Sequence, residues 1–409
     1  MKKRTQIFCI LLLCIPGIMT AQEKEVDHSK MEKDLTFMIQ NIEDYYAYLD
    51  QKKVNLDCLK TTYSSMIRDV RTEEESVLFY ESLINEFYDS HLNLNTRREA
   101  SYRIYSPIYT EYNNGRTIIK NLWQSQLLPI SIPLIDAEVL EINGENFQKA
   151  IDNFPTFCND KDDEEIRTWI GNKVIAGRRN QPRLLKLRLQ NEEILTLDVD
   201  EIKIIEEKAL LKSSRNGEYG IIRINNSLGN SKLINNFDKA LDEMFDTEGL
   251  IIDLRNTVDG GDSYIARAIM SRFIDVAKPY QKHSGFEKYG SHEPIEKLWI
   301  EYVVPRRKTY SKPVVILAGR WTGSMGEGLA IGFEGMKRGQ IVGTEMHRLA
   351  GGIYSFPFMH RDYAFRISRE KLFHINGIPR EKYVPGHLVI QTSNSEDVFM
   401  EKALKVLRN

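Results

Sequence analysis

PVVILAGRWTGSMGEGLAIGF, Pro313 to Phe333, decides how this chain is read. Val314–Ala318 is an uninterrupted aliphatic run, too short for a helix and typical of a strand buried on both faces. A short Gly- and Thr-containing loop follows, and Ser324 then opens a segment of helical character. A serine there sits at the end of a buried strand and against the positive end of a helix. Ser324 and Glu327 also form the S-x-x-E pattern of a helix capping box, which requires no chemistry.

Outward from this stretch, strand and helix patterns alternate. YGIIRIN (219–225) precedes a helix near Leu233–Phe245, and the strand GLIIDLR (249–255) precedes a helix near Tyr264–Phe273. After PVVILAG comes a helix near Gly326–Lys337, then QIVGT (340–344). This order predicts an α/β domain over 211–409 with a buried, at least partly parallel sheet. Sites in such sheets lie at the carboxyl ends of the strands. GLIIDLRNTVDGGDS ends its strand in a turn holding Gly260 and Gly261, whose backbone N–H groups a ligand could approach closely. With the N–H of Met325 they could form an oxyanion hole. An ordinary strand-to-helix turn is the alternative.

Upstream, LTFMIQNIEDYYAYL (35–49) and ESVLFYESLINEF (75–87) repeat apolar residues at helical spacing, predicting a small helical N-terminal domain over 25–98. HLNLNT (91–96) alternates leucine with polar residues, predicting a strand with His91, Asn93 and Asn95 on one face. Residues 99–210 carry short β-like runs (RIYSPIYTEY, RTIIKNL, AEVLEING, RLLKLRL, EILTLDV) around a helical stretch near Asn146–Phe154, a β-rich module. In AEVLEING (137–144) a strand meets an Asn-Gly turn before a helix. That segment resembles the one preceding the peptide-lining helix of PDZ domains; an unrelated β-hairpin domain is the alternative.

With 56 Lys and Arg against 58 Asp and Glu, the net charge is −2, and no single-signed field points to nucleic acid or an anionic membrane. MKKRTQIFCILLLCIPGIMTAQEKE (1–25) has the basic start and apolar run of a secretory signal peptide, with cleavage expected after Ala21. A lipoprotein is the minor alternative, because Cys14 follows Leu13 rather than a small residue. No later run reaches the roughly 20 apolar residues of a membrane helix. A periplasmic or extracellular protein is expected. Cys58 and Cys158 remain after processing, as a disulfide in an oxidising compartment or as two buried thiols. The histidines are scattered and no acidic cluster has ligand spacing, so no metal or organic cofactor is expected. No residue pattern speaks to an assembly state.

Taken together, the DLR-N-x-x-x-GG turn of Asp253–Gly261, Ser324 with Glu327, Val342–Thr344 and the closing HINGIPREKYVPGHLV (374–389) resemble the carboxyl-terminal processing (tail-specific) proteases and their tricorn-core and nisin-resistance relatives. The resemblance covers about Tyr219–Val389. It implies a ClpP/crotonase-like core, a peptide or protein substrate, Ser324 as nucleophile, and Met325 with Gly260 or Gly261 as oxyanion hole. Tail-specific proteases take their base from a lysine in a Gly-Lys-Gly turn. The matching stretch here, GTEMHRLAGGIYSF (343–356), has Leu349 near that place and no lysine between Lys337 and Lys371. The tricorn and nisin-resistance type instead uses an upstream histidine after an acidic and a small residue, which FYDSHLNLN matches with Asp89, Ser90 and His91. Imidazole titrates near neutrality and suits the role. His347 is the second candidate base and His374 the third. The resemblance also makes Glu381 a candidate orienting acid. Glu327 is expected to cap its helix, and Asp253 and Arg255 to form a local ion pair. The expected activity is an exported serine peptidase working through an acyl-enzyme; a catalytically inactive peptide-binding relative and an esterase or amidase are the alternatives.

Overall fold

The computed structural model describes residues 26–408; the expected signal peptide lies outside the described residues. Among them, no helix is long and apolar enough to cross a membrane.

Three helices open the described chain, His28–Tyr45, Leu56–Met66 and Glu73–Asn85. Each begins on a side chain that occupies an otherwise unpaired backbone donor: Asp27 accepts from Lys30 N–H, Asn55 from Cys58 N–H, and Thr72 with Glu75 forms a capping box. Their apolar faces do not close on one another alone. Met31, Leu35, Met38 and Phe87 share one core with Phe358, Tyr363, Phe365 and Ile367, far downstream in the chain.

Strands Ile108–Asn113, Arg116–Leu122, Glu138–Ile142, Leu184–Arg188 and Ile194–Asp198 form an antiparallel sheet in that order, and Glu145–Asn146 pairs with Glu138–Ile142. The expected Asn-Gly turn is present, with Asn143 at φ +50° and Gly144 at φ +83°, the left-handed pair of a tight hairpin. Helices Phe147–Asp152 and Glu164–Ala176 cover one face, burying Phe147, Ile151, Ile170 and Ile175 against Ile119, Val139, Leu185 and Leu187. The second of these helices was not anticipated from the sequence. Gly171 and the charged Arg167 and Lys173 interrupt its apolar pattern.

The α/β region has the expected parallel sheet. Its order is His387–Leu388, Gln340–Gly343, Val314–Ala318, Gly249–Asp253, Tyr219–Ile224 and Leu211–Asn216, of which only the last runs antiparallel to its neighbour. Alternate residues serve opposite faces. Leu250, Ile252, Val314 and Ile316 meet helices Lys232–Asp242, Ser263–Met270 and Met325–Gly335, while Ile251, Val315, Leu317 and Val342 meet the C-terminal helix Val398–Arg408. Burial on both faces explains the unbroken aliphatic runs in the sequence.

A second antiparallel sheet was not legible in the sequence. Asn93–Leu94, Ala364–His374, Lys278–Glu287 and Ile295–Val303 lie in that order, with Gly352–Pro357 paired to Ala364–His374. It packs over helix Met325–Gly335, where Gly328 and Gly332 leave room for Gln281 and Tyr280. That helix is thereby sandwiched between two sheets. The strand expected over 91–96 shrinks to Asn93–Leu94, paired with Arg366 and Phe365, and His91 falls in the turn before it.

Candidate active site

Loops leaving the carboxyl ends of three parallel strands converge: 254–262, 319–324 and 344–351. Ser324 takes φ +50° and ψ −113° immediately before helix Met325–Gly335. An ordinary capping residue has extended backbone, so this conformation is strained for an L-residue. The Gly260 turn presses against it. A Cβ added to Gly260, itself at φ +66°, would lie 2.4 Å from Ser324 Cβ and 2.9 Å from Met325 N. Thr257 helps join the two loops: its carbonyl accepts from Gly260 N–H (3.0 Å) and Gly323 N–H (3.2 Å). The N–H of Gly260 is thus occupied. Asp253 and Arg255 form the expected ion pair, bidentate at 2.8 and 2.9 Å, and Arg255 also holds Asp397 ahead of the C-terminal helix at 2.7 and 3.0 Å.

Glu327 is fully buried and accepts three backbone donors: Ser324 N–H at 2.8 Å, Arg348 N–H at 2.9 Å and Leu349 N–H at 3.2 Å. Burial pushes its carboxyl up to about 7 against the opposing pull of Arg380 and these donors. Arg380 in turn donates to the carbonyls of Leu349 (2.9 Å) and Gly351 (2.8 Å).

The carbonyl between those two, Ala350 O, lies 2.8 Å from His91 Nδ1. A carbonyl only accepts, so Nδ1 carries the proton and Nε2 keeps its lone pair. Asp89 fixes the same residue from behind, its Oδ1 accepting His91 N–H at 2.8 Å and its Oδ2 accepting Tyr46 OH at 2.7 Å. Burial, then the nearby Arg380 charge, holds His91 down at about 4. Glu381 accepts from Tyr48 OH at 3.3 Å; burial raises its pKa, with the Arg380 charge opposing and that of Asp89 adding. It makes no hydrogen bond to His91, whose Nδ1 is taken by the backbone.

His347 also reaches the nucleophile loop. Its N–H donates to Thr322 O at 3.0 Å, and its Nδ1 lies 3.3 Å from where a Cβ on Gly323 would stand. Burial, then the neighbouring His91, pushes it down to about 4. His374 is remote. It pairs with Glu334, ten positions along the helix from Ser324 and so about 15 Å away at the helical rise. No hydrogen bond joins the Ser324 hydroxyl to any imidazole among the described residues. Tyr46, Tyr48 and Arg380 were not singled out from the sequence. The tyrosines read there as part of an apolar helical face, and the only signal for Arg380 was its place beside Glu381.

Residues 218–385, which carry Ser324, all three site loops and Glu381, match the model of Peptidase family S41. That region is an S41 peptidase domain. Its fold is shared with solved structures of low sequence identity. Mature CPAF complexed with lactacystin aligns at TM-score 0.60 and 15% identity, covering 93% of this chain and 97% of that one. The photosystem II D1 C-terminal processing protease aligns at TM-score 0.53 and 12% identity, with 94% and 98% covered. A lipoprotein from Streptococcus agalactiae aligns at 0.51 and 11% identity, with 92% and 96% covered. No curated protein matches the chain. With that domain the protein is a serine-type peptidase, and its substrate class is peptide or protein.

Proposed function

We propose that this S41 peptidase is exported and hydrolyses peptide bonds through an acyl-enzyme on Ser324, with His91 as general base. The observation that carries the reading is the strained Ser324 backbone, held at a helix N-terminus against the Gly260 turn. Helix capping alone gives no reason to store that strain.

In this reading Ser324 Oγ attacks the scissile carbonyl while His91 Nε2 takes its proton. The oxyanion that forms is met by the N–H groups of Met325 and Gly261; Gly260, whose own N–H is spent within its turn, makes the room. The imidazolium then returns its proton to the leaving amine, and water repeats the sequence on the acyl-enzyme. His91 at about 4 is neutral at pH 7, the state a base must start from, and the negative charge developing beside it raises its proton affinity during attack. Glu381, with Asp89, supplies negative charge that favours the imidazolium. His347 is the alternative base on the same loop cluster.

The core over 211–409 corresponds in this reading to a ClpP/crotonase-like domain. Residues 99–210 form a PDZ-like peptide-recognition module following the helical region 25–98. Export is supported by the leader-like residues 1–21 and by the Cys58–Cys158 disulfide, a bond that persists in oxidising compartments.

The test is turnover of a mixed peptide library by the mature chain beside folded Ser324→Ala and His91→Ala variants. Wild-type cleavage with both variants silent supports the mechanism. Cleavage by His91→Ala at the wild-type rate moves the base to His347. An inert wild type makes the chain a peptide binder.

A further inference from the structure

Glu327 does more than end a helix. Its two oxygens join the nucleophile turn to the 348–349 backbone, beside the bond from His347 N–H to Thr322 O that also links the two loops. Oε2 takes the N–H of Ser324 (2.8 Å) and of Leu349 (3.2 Å), and Oε1 takes that of Arg348 (2.9 Å). The next residue along, Ala350, offers its carbonyl to His91 Nδ1 at 2.8 Å. One buried carboxylate thus lies between the backbone of the nucleophile and the loop that orients the imidazole. A helix cap would need only the first of these bonds.

We infer that Glu327 is a positioning residue that sets the register of the nucleophile turn against the loop orienting His91, and that its ionised form is the working one. This rests on the assignment of Ser324 and His91 made above. Three N–H donors converge on the carboxylate. Protonation converts one acceptor oxygen into a hydroxyl whose proton then meets donors, so the 348–349 loop loses a partner.

Of the charged and titratable groups nearby, Arg380 acts on it directly, while His91 and His347 meet the loop that it holds. Arg380 lies on the late 3-10 turn, His91 on the turn after the third helix, and His347 and Arg348 on the loop after Gln340–Gly343. Arg380 favours the ionised carboxylate, while burial disfavours it and leaves its titration at about 7. His91 and His347 both titrate at about 4 and stay neutral through that range. Activity is therefore expected to rise as pH passes upward through about 7, following this carboxyl rather than the base.

The experiment compares wild type, Glu327→Gln and Glu327→Asp for kcat and KM from pH 5 to 9, together with amide hydrogen exchange over 344–351. Glu327→Gln presents an NH2 where an acceptor is needed. It is expected to lower kcat about 100-fold with little change in KM, the loss a misplacement of about 1 Å between reacting groups brings. It should also abolish the acidic limb near pH 7 and raise exchange at Arg348 and Leu349 without raising it in the parallel sheet. Glu327→Asp should recover part of kcat and the limb. Unchanged kcat and limb, or unchanged exchange over 344–351 in folded Glu327→Gln, overturns the inference whether or not a good substrate is in hand. Wild-type activity in Ser324→Ala would instead sink the catalytic assignment on which it rests.

Discussion

Ser324 sits at φ +50° and ψ −113°, a backbone that costs about 1–3 kcal/mol in an L-residue and persists only where its surroundings enforce it. Gly260 is part of that enforcement. Its φ of +66° favours glycine, and the space a methyl would need is filled by Ser324 Cβ at 2.4 Å. Gly260→Ala should lower stability by about 1–3 kcal/mol through overpacking at a left-handed position, and should strongly reduce labelling of Ser324 by a serine-directed phosphonate. A urea midpoint and labelling rate equal to wild type would refute this role. At this scale the nucleophile turn was legible, because strand end, small-residue loop, serine and Glu327 are contiguous. Tyr48 and Arg380 were not. Tyr48 bonds Glu381, 333 positions away, and Arg380 bonds Leu349 and Gly351 across the intervening strands, and nothing in their immediate neighbours distinguishes them from a core tyrosine and a surface arginine.

Between elements, the β-rich region grips two of the three site loops, 254–262 and 319–324. Trp123 stacks on Trp321, three residues before Ser324, at 5.7 Å and 3° between planes. Trp123 Nε1–H donates to Arg255 O at 2.9 Å, and Trp321 Nε1–H donates to Ser106 O at 2.9 Å. Trp123→Ala should therefore cost about 3–5 kcal/mol by the usual penalty for emptying an aromatic site, and lower kcat by loosening the 319–324 loop. Denaturant unfolding and kcat at saturating peptide check both halves, and an unaltered kcat would confine the stack to stability. The parallel strands were readable because burial on both faces leaves only aliphatic side chains. The second sheet was not. Its strands mix lysine, glutamate and histidine with aromatics, since much of Ile295–Val303 faces solvent and His283 and Glu370 pair internally. The strand read over His91–Thr96 stops short because the Asp89 side chain takes His91 N–H and the Asp89 carbonyl takes Leu92 N–H (3.1 Å), closing a turn where a ladder would have begun.

Across the whole molecule, the disulfide between Cys58 and Cys158 closes a loop spanning 100 positions and fastens the N-terminal helices to the β-rich region, with Cα atoms 5.7 Å apart. Glu86 reinforces the same junction by accepting Phe157 N–H at 2.6 Å and Cys158 N–H at 3.0 Å. Replacing both cysteines by serine should destabilise the chain by about 2–5 kcal/mol, the range for native disulfides closing long loops. Equal thermal midpoints for the oxidised protein and the double variant would contradict that. The sequence by itself determined the parallel α/β core, the helical opening, the β-rich middle and the turn that carries Ser324, because each is written in the periodicity or contact chemistry of adjacent residues. Only the tertiary structure decided that Ala350 orients His91 across 259 positions, that Glu327 ties the Ser324 turn to the backbone of Arg348 and Leu349, and that the two cysteines meet. Periodicity reports which side of an element is buried but not what buries it, and these pairings depend on how separate layers settle against one another.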